Sequence, residues 1–91
     1  MIKKTKAIRW NEEKNSALKK ERNISFEVIF SLIEDGLIAD IRDNPGYPSQ
    51  NYYFFDIDDY IYCVPVVETE DEIFLKTIFP SRKFTKQLKR D

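Results

Sequence analysis

Histidine is absent from the chain, and its 91 residues hold only one cysteine (Cys63) and two glycines (Gly36 and Gly46). Without histidine, Ser-His-Asp and Cys-His nucleophilic catalysis, histidine acid–base work and most catalytic zinc sites are excluded. One cysteine permits neither an internal disulfide nor a cysteine-built zinc site. Two glycines are too few for a phosphate-binding loop or a dinucleotide fingerprint. No apolar run approaches the roughly 18 residues of a membrane span. The basic N-terminus lacks the apolar stretch of a secretory signal. The expectation is a cytoplasmic protein with no membrane partner and no cofactor, in which Cys63 stays reduced and packs as a small hydrophobe.

What is present reads as one domain, residues 1–91. Hydrophobic residues make up 42% and charged residues 34%, an ordinary balance for a globular chain. At this length roughly 60% of the unfolded surface is buried, so the core is thin. The formal net charge of −1 conceals a strong asymmetry. Residues 1–23 hold eight positive and three negative charges, residues 24–75 hold one (Arg42) and twelve, and residues 76–91 hold six and one. If the two ends meet in space, they form one basic patch on an acidic body, the electrostatic footprint of a phosphate-bearing partner. Lysine-rich ends that merely solubilise the chain explain the charge equally well.

Local patterns predict the elements. Residues 6–10 alternate like a short edge strand. Asn11 has the chemistry of an N-cap, with Glu12 and Glu13 in the first turn of a helix and Lys19, Lys20 and Arg22 in its last. Asn23 suits a left-handed C-cap, and Ser25 caps a second helix. Phe26, Ile29, Phe30, Ile33 and Leu37 form an apolar stripe at helical spacing, which Gly36 terminates. Residues 37–43 are strand-like, and residues 44–48 form a loop. Residues 51–57 and 60–67 read as a hairpin around Asp58-Asp59, with Pro65 marking a bulge or an edge. Residues 72–79 form the last strand, which places Lys76 on one face with Phe74 and Ile78. Ser81 then caps a basic helix through Leu88. The fold class is α+β: an antiparallel meander sheet with two N-terminal helices and a short C-terminal helix.

Three segments carry a resemblance to the BrnT-type toxins of bacterial toxin–antitoxin operons. Residues 8–15, Ile-Arg-Trp-Asn-Glu-Glu-Lys-Asn, are similar to the family's aromatic strand end, Asp or Asn cap, and Lys and Asn in the helix. Asn23-Ile24-Ser25-Phe26-Glu27 resembles the family's Gly-Val-Ser-Phe-Glu between its two helices. Residues 77–83, Thr-Ile-Phe-Pro-Ser-Arg-Lys, resemble its Arg-Ile-Ile-Ser-Ala-Arg-Lys. The resemblance implies a RelE-like ribonuclease that needs no metal, held inactive in a hetero-oligomer by a ribbon-helix-helix antitoxin. Where the family usually has Lys-His-Gly before its second helix, this chain has Lys20-Glu21-Arg22-Asn23, so the family's histidine is absent and Arg22 stands nearest to its place. Arg82 aligns without a gap. The family's first arginine falls on Thr77, or on Lys76 with one insertion.

Cleavage of RNA by its own 2′-hydroxyl needs a base, a cation to stabilise the phosphorane and an acid for the leaving oxygen. Lysine can exchange the proton where neighbouring cations lower its pKa. The candidate catalytic residues are therefore Arg82, at a helix start that favours phosphate, and Lys76. Lys14, Arg22, Lys83 and Lys86 are the candidate RNA contacts, with Arg9 beside them. Tyr47, Tyr52 or Trp10 would stack a base, although Trp10 and the hairpin aromatics serve equally as core and cross-strand pairs. Arg82 has an alternative as the ion-pair partner of Asp40, Asp43 or Asp56, and Lys76 as a strand residue snorkelling to water. Asp56, Asp58, Asp59 and residues 68–72 match no calcium loop and read as solvated turns, so no metal is expected. A non-catalytic module that binds a protein or nucleic acid through the same basic surface is the competing expectation, and a purely structural domain is a third.

Overall fold

Side-chain caps set the two N-terminal helices. The computed structural model describes residues 6–89. Helix α1 (Glu12–Arg22) starts where Asn11 accepts a hydrogen bond from Lys14 N at 2.9 Å, and it ends at Asn23 in the left-handed region, φ 56°. Helix α2 (Phe26–Glu34) is capped by Ser25. It stops in a Schellman turn: Gly36, at φ 71°, donates to Ile33 O, and Leu37 N donates to Leu32 O at 2.9 Å. The two helices are locked together by Asn15, which has no exposed surface. Its Oδ1 accepts from Phe26 N at 2.8 Å and its Nδ2 donates to Glu27 Oε1 at 2.9 Å.

The remaining elements are β1 (Ala7–Trp10), β2 (Asp40–Asp43), β3 (Gln50–Ile57), β4 (Tyr60–Glu68), β5 (Glu72–Leu75), β6 (Phe79–Pro80) and α3 (Arg82–Lys89). Together they make a small α+β domain of three helices and a six-stranded sheet among the described residues. The sheet order is β1-β5-β4-β3-β2, with β6 beside β4. Strands β2 to β5 form the expected antiparallel meander, turning between β3 and β4 on Asp58 and Asp59 at φ 53° and 66°. The sheet as a whole is mixed, not antiparallel, because β1 runs parallel to β5, with Ala7 opposite Glu72 and Trp10 opposite Leu75. The physical reason is the position of α1 and α2. They cover one face of the sheet, so the chain crosses from β1 to the far edge at β2, and the meander then returns to β1.

The last strand is not continuous over 72–79. Val66 lies opposite Leu75, but Cys63 lies opposite Phe79, so the 75–79 side holds one residue more than β4. This is a β-bulge. Pro65 sits at the break; it has no N–H to give, and its carbonyl accepts from Lys76 N at 2.9 Å. The extra residue reverses the alternation. Ile78 therefore joins the core under α1 and α2, and Phe79 faces α3. Lys76 shares its face with Phe74 but not with Ile78, contrary to the unbroken-strand reading.

Two cores follow from this alternation. Leu18, Ile24, Phe26 and Ile29 pack on Tyr53, Phe55, Val64, Val66, Ile73, Leu75 and Ile78 on one face. Phe54, Ile61 and Cys63 lie under Phe84 and Leu88 of α3 on the other. The apolar stripe of α2 is narrower than its spacing suggests. Phe26 and Ile29 are fully buried, whereas Phe30 is 39% exposed and meets Trp10 only edge-on. Leu37 lies beyond the Schellman turn, off the helix, and is exposed.

Candidate nucleic-acid interface

The bulge and the start of α3 bring the basic ends of the chain into contact. Arg22, the last residue of α1, donates from Nη1 to Ile78 O at 2.5 Å. Among the described residues no strand flanks residues 76–80 on the side away from β4, so this guanidinium lies against the open edge of the sheet. Lys76 is two residues before that carbonyl and Arg82 four residues after it. The helices themselves lie on opposite faces, since Leu18 of α1 and Phe84 of α3 belong to different cores. The basic residues thus form a band that wraps the sheet edge at Arg22–Ile78, not a single flat patch. Lys14 is exposed on the α1 side, Lys83 and Lys86 on the α3 side.

Helix α3 is held at both ends, which fixes Arg82 as its first residue. Ser81 N donates to Ile61 O at 2.9 Å, Ser81 Oγ caps Phe84 N at 3.1 Å, and Thr85 Oγ1 accepts from Ile61 N at 2.9 Å. In the middle, Phe84 packs on Phe54 with ring centroids 4.4 Å apart. At the far end, Lys89 Nζ bridges Asp56 at 2.7 Å and Asp59 at 2.9 Å. These two carboxylates, weighed above as turn residues, are therefore neutralised by the helix they anchor.

The six candidate residues differ in how far the fold already uses them. Arg82 is exposed and, among the described residues, has no ion pair or side-chain hydrogen bond. Two carboxylates weighed as its partners are taken, Asp40 by Arg42 at 2.9 Å and Asp56 by Lys89. Lys14 and Lys86 likewise make no side-chain bond, and Lys83 Nζ lies 5.5 Å from the Phe84 ring centroid. Arg22 is engaged by the Ile78 carbonyl, with four guanidinium N–H donors left over. Lys76 is exposed beyond the end of β5, its Nζ 5.8 Å from the centroid of Phe74. It is solvated, so the cost of a cation on an apolar strand face does not arise.

Of the aromatics considered for stacking, Trp10 packs on Phe26 at 5.7 Å and on the core. Tyr52 leans on Phe54, and Tyr47 stands 62% exposed in the loop after β2. Phe74 was missed. Its signal in the sequence is its place two residues before Lys76 in an alternating strand.

The perturbed groups lie elsewhere. Burial pushes the Cys63 thiol up to about 12, leaving it without thiolate at neutral pH. Burial raises Tyr53, helped by its hydrogen bond to Glu68. For Glu68 burial works upward too, but the 2.6 Å bonds from Lys6 Nζ and Tyr53 Oη outweigh it and hold the carboxyl below its usual value. This trio ties residue 6 and β3 to the end of β4. No cavity opens among the described residues, so a ligand of the basic band would meet an open surface. No helix among them is long and apolar enough to cross a membrane.

Comparison with protein families, with curated proteins and with solved structures finds no significant match to this chain.

Proposed function

We propose that the chain is an RNA-cleaving toxin of a type II toxin–antitoxin pair, a divergent BrnT-type protein with a RelE-like arrangement. A ribbon-helix-helix antitoxin would neutralise it in a hetero-oligomer in the cytoplasm. The observation that carries this reading is Arg82. It is an unpaired guanidinium at the first position of a helix, four residues from the carbonyl that draws Arg22 to the same sheet edge. A helix N-terminus and a planar guanidinium both favour a phosphate.

In this reading Arg82 holds the scissile phosphate. The 2′-oxygen attacks phosphorus, the bond to the 5′-oxygen breaks, and the products are a 2′,3′-cyclic phosphate and a 5′-hydroxyl. Arg82 stabilises the charge of the phosphorane, and Lys76 exchanges a proton or makes the second phosphate contact. Lys14, Arg22, Lys83 and Lys86 attract the flanking phosphates along the band. The competing reading, a non-catalytic module that binds a protein or nucleic acid, is favoured by the same open surface and by the missing histidine.

Induced expression, with and without the product of a short neighbouring gene, separates the two through growth and bulk RNA integrity. Arg82→Ala is expected to reduce cleavage about 10²–10³-fold with the melting temperature unchanged, because Arg82 has no partner among the described residues to lose. Arg82→Lys is not conservative there, since lysine lacks the planar fork. A folded Arg82→Ala protein as toxic as the parent removes Arg82 from the site. A parent with neither toxicity nor cleavage leaves the interaction module.

A further inference from the structure

The sheet face that carries α3 is only half covered. Helix α3 lies over Phe54, Ile61 and Cys63, near the β3–β4 turn. Further along the same face, toward the start of β5, stand Pro65, Val67 and Phe74, with Val67 directly opposite Phe74 across the β4–β5 ladder. Phe74 is half-buried and packs against neither core. A phenylalanine so placed on the open face of a thin domain forfeits burial that its neighbours Ile73 and Leu75 obtain on the other side. Two cations lie on its side of the sheet. Lys76 Nζ is 5.8 Å from its ring centroid, and Arg9, its register partner on β1, lies on the same face. Arg9 is paired with Glu72 at 3.1 Å, which leaves Lys76 as the uncommitted charge beside the ring.

We infer that Phe74 is a stacking platform for an unpaired RNA base, with Lys76 positioned for the adjoining phosphate. The inference rests on the RNA reading above and deepens it, by assigning single-stranded rather than duplex RNA to the site. An aromatic ring on an open sheet face, flanked by cations, is how proteins hold single strands, because every base offers a π-face and every nucleotide a phosphate. In a duplex the bases are already stacked on one another and do not reach such a ring. The exposed Lys76 ammonium leaves the ring when a base arrives and meets the phosphate instead. Charge selects the occupant: an acidic strand is attracted by Lys76 and by Arg82 further along the same chain segment, and a basic peptide is repelled.

The test is binding of a fluorescent 2′-O-methyl RNA 12-mer, measured by anisotropy at low salt. This probe lacks the 2′-hydroxyl, so binding is read without cleavage. Phe74→Leu keeps an apolar side chain of similar bulk but no π-face, and Phe74→Trp restores one. The expected result is affinity about 5- to 100-fold weaker for Phe74→Leu, parental affinity for Phe74→Trp, and weak binding of a duplex of the same length. Each variant is checked for a parental melting temperature. Equal affinity of Phe74→Leu and the parent overturns the platform and leaves the RNA reading intact. Failure of the parent itself to bind any RNA overturns both. A parent that is dimeric in solution and becomes monomeric in Phe74→Leu overturns it in favour of a second copy on this face.

Discussion

Replacing Asn15 with alanine removes both bonds that lock α1 to the start of α2. The buried Phe26 N–H loses its acceptor at 2.8 Å and the Glu27 carboxylate loses a donor at 2.9 Å. An unsatisfied buried donor costs about 1–3 kcal/mol. The bond to Glu27 reaches an exposed carboxylate and adds only a fraction of that, so the expected loss is about 1–4 kcal/mol. With a urea slope near 1 kcal/mol/M for so small a domain, the unfolding midpoint moves down by about 1 M or more. The pH dependence supplies a second signature. The hydrogen bond from Asn15 is the largest influence on Glu27 and holds its carboxyl below the ordinary value of 4.5. Because the folded value is depressed, the associated stability is present above pH 4.5 and is lost as pH falls through the folded value. Alanine should therefore flatten this part of the acid limb. Asn15→Asp keeps the acceptor for Phe26 but sets a second carboxylate beside Glu27, so its deficit should be larger at pH 7 than near pH 4, where carboxylates begin to protonate. Urea titrations of the three proteins at both pH values decide the matter. An alanine variant within about 0.5 kcal/mol of the parent, with an unchanged acid limb, would refute the lock.

Two further outcomes are expected. Phe26→Ala should cost about 3–5 kcal/mol, since Phe26 is fully buried, while Phe30→Ala should cost less than half as much because Phe30 is 39% exposed; equal melting temperatures would contradict this division of the α2 stripe. Cys63, buried and with its thiol pushed up to about 12, should be unreactive toward a thiol reagent in the folded protein and react fully in urea, and fast labelling of the native form would show that α3 does not stay closed over it.

Local chemistry was legible in the residues, and long-range placement was not. Asn11, Asn23 and Ser25 announced their caps because a cap is made by a side chain and a backbone group a few residues apart. Asp58-Asp59 announced a hairpin, and Pro65 a break in a ladder that needs an N–H it does not have. The run 72–79 looks like one strand because nothing in its own composition reveals Pro65, which lies across the ladder. The same blindness hid the parallel pairing of β1, whose partner is fixed by which face α1 and α2 must cover. Phe30 and Leu37 fit a helical stripe by spacing alone; how wide a strip the sheet can cover is a property of the sheet. For the candidate site, Arg82 was legible as a cation at a helix start, whereas the pairing of Asp40 with Arg42 and of Asp56 with Lys89 was not. Phe74 went unnoticed because its meaning lies in α3 stopping short of it.

The parallel pairing of β1 with β5 bears on how the protein comes into being. As the chain emerges from the ribosome, Ala7–Trp10 finds no strand to join until Glu72–Leu75 has followed it out. The residues of α1 and α2 emerge before then, but Ile73, Leu75 and Ile78, which complete their core, do not, and helices this short are marginal without that core. So non-local a closure is slow compared with helix formation. It also delays the basic edge: Arg22 has no Ile78 carbonyl to bind until that residue has followed. A chain that stops in the acidic stretch therefore has neither a finished core nor Arg82.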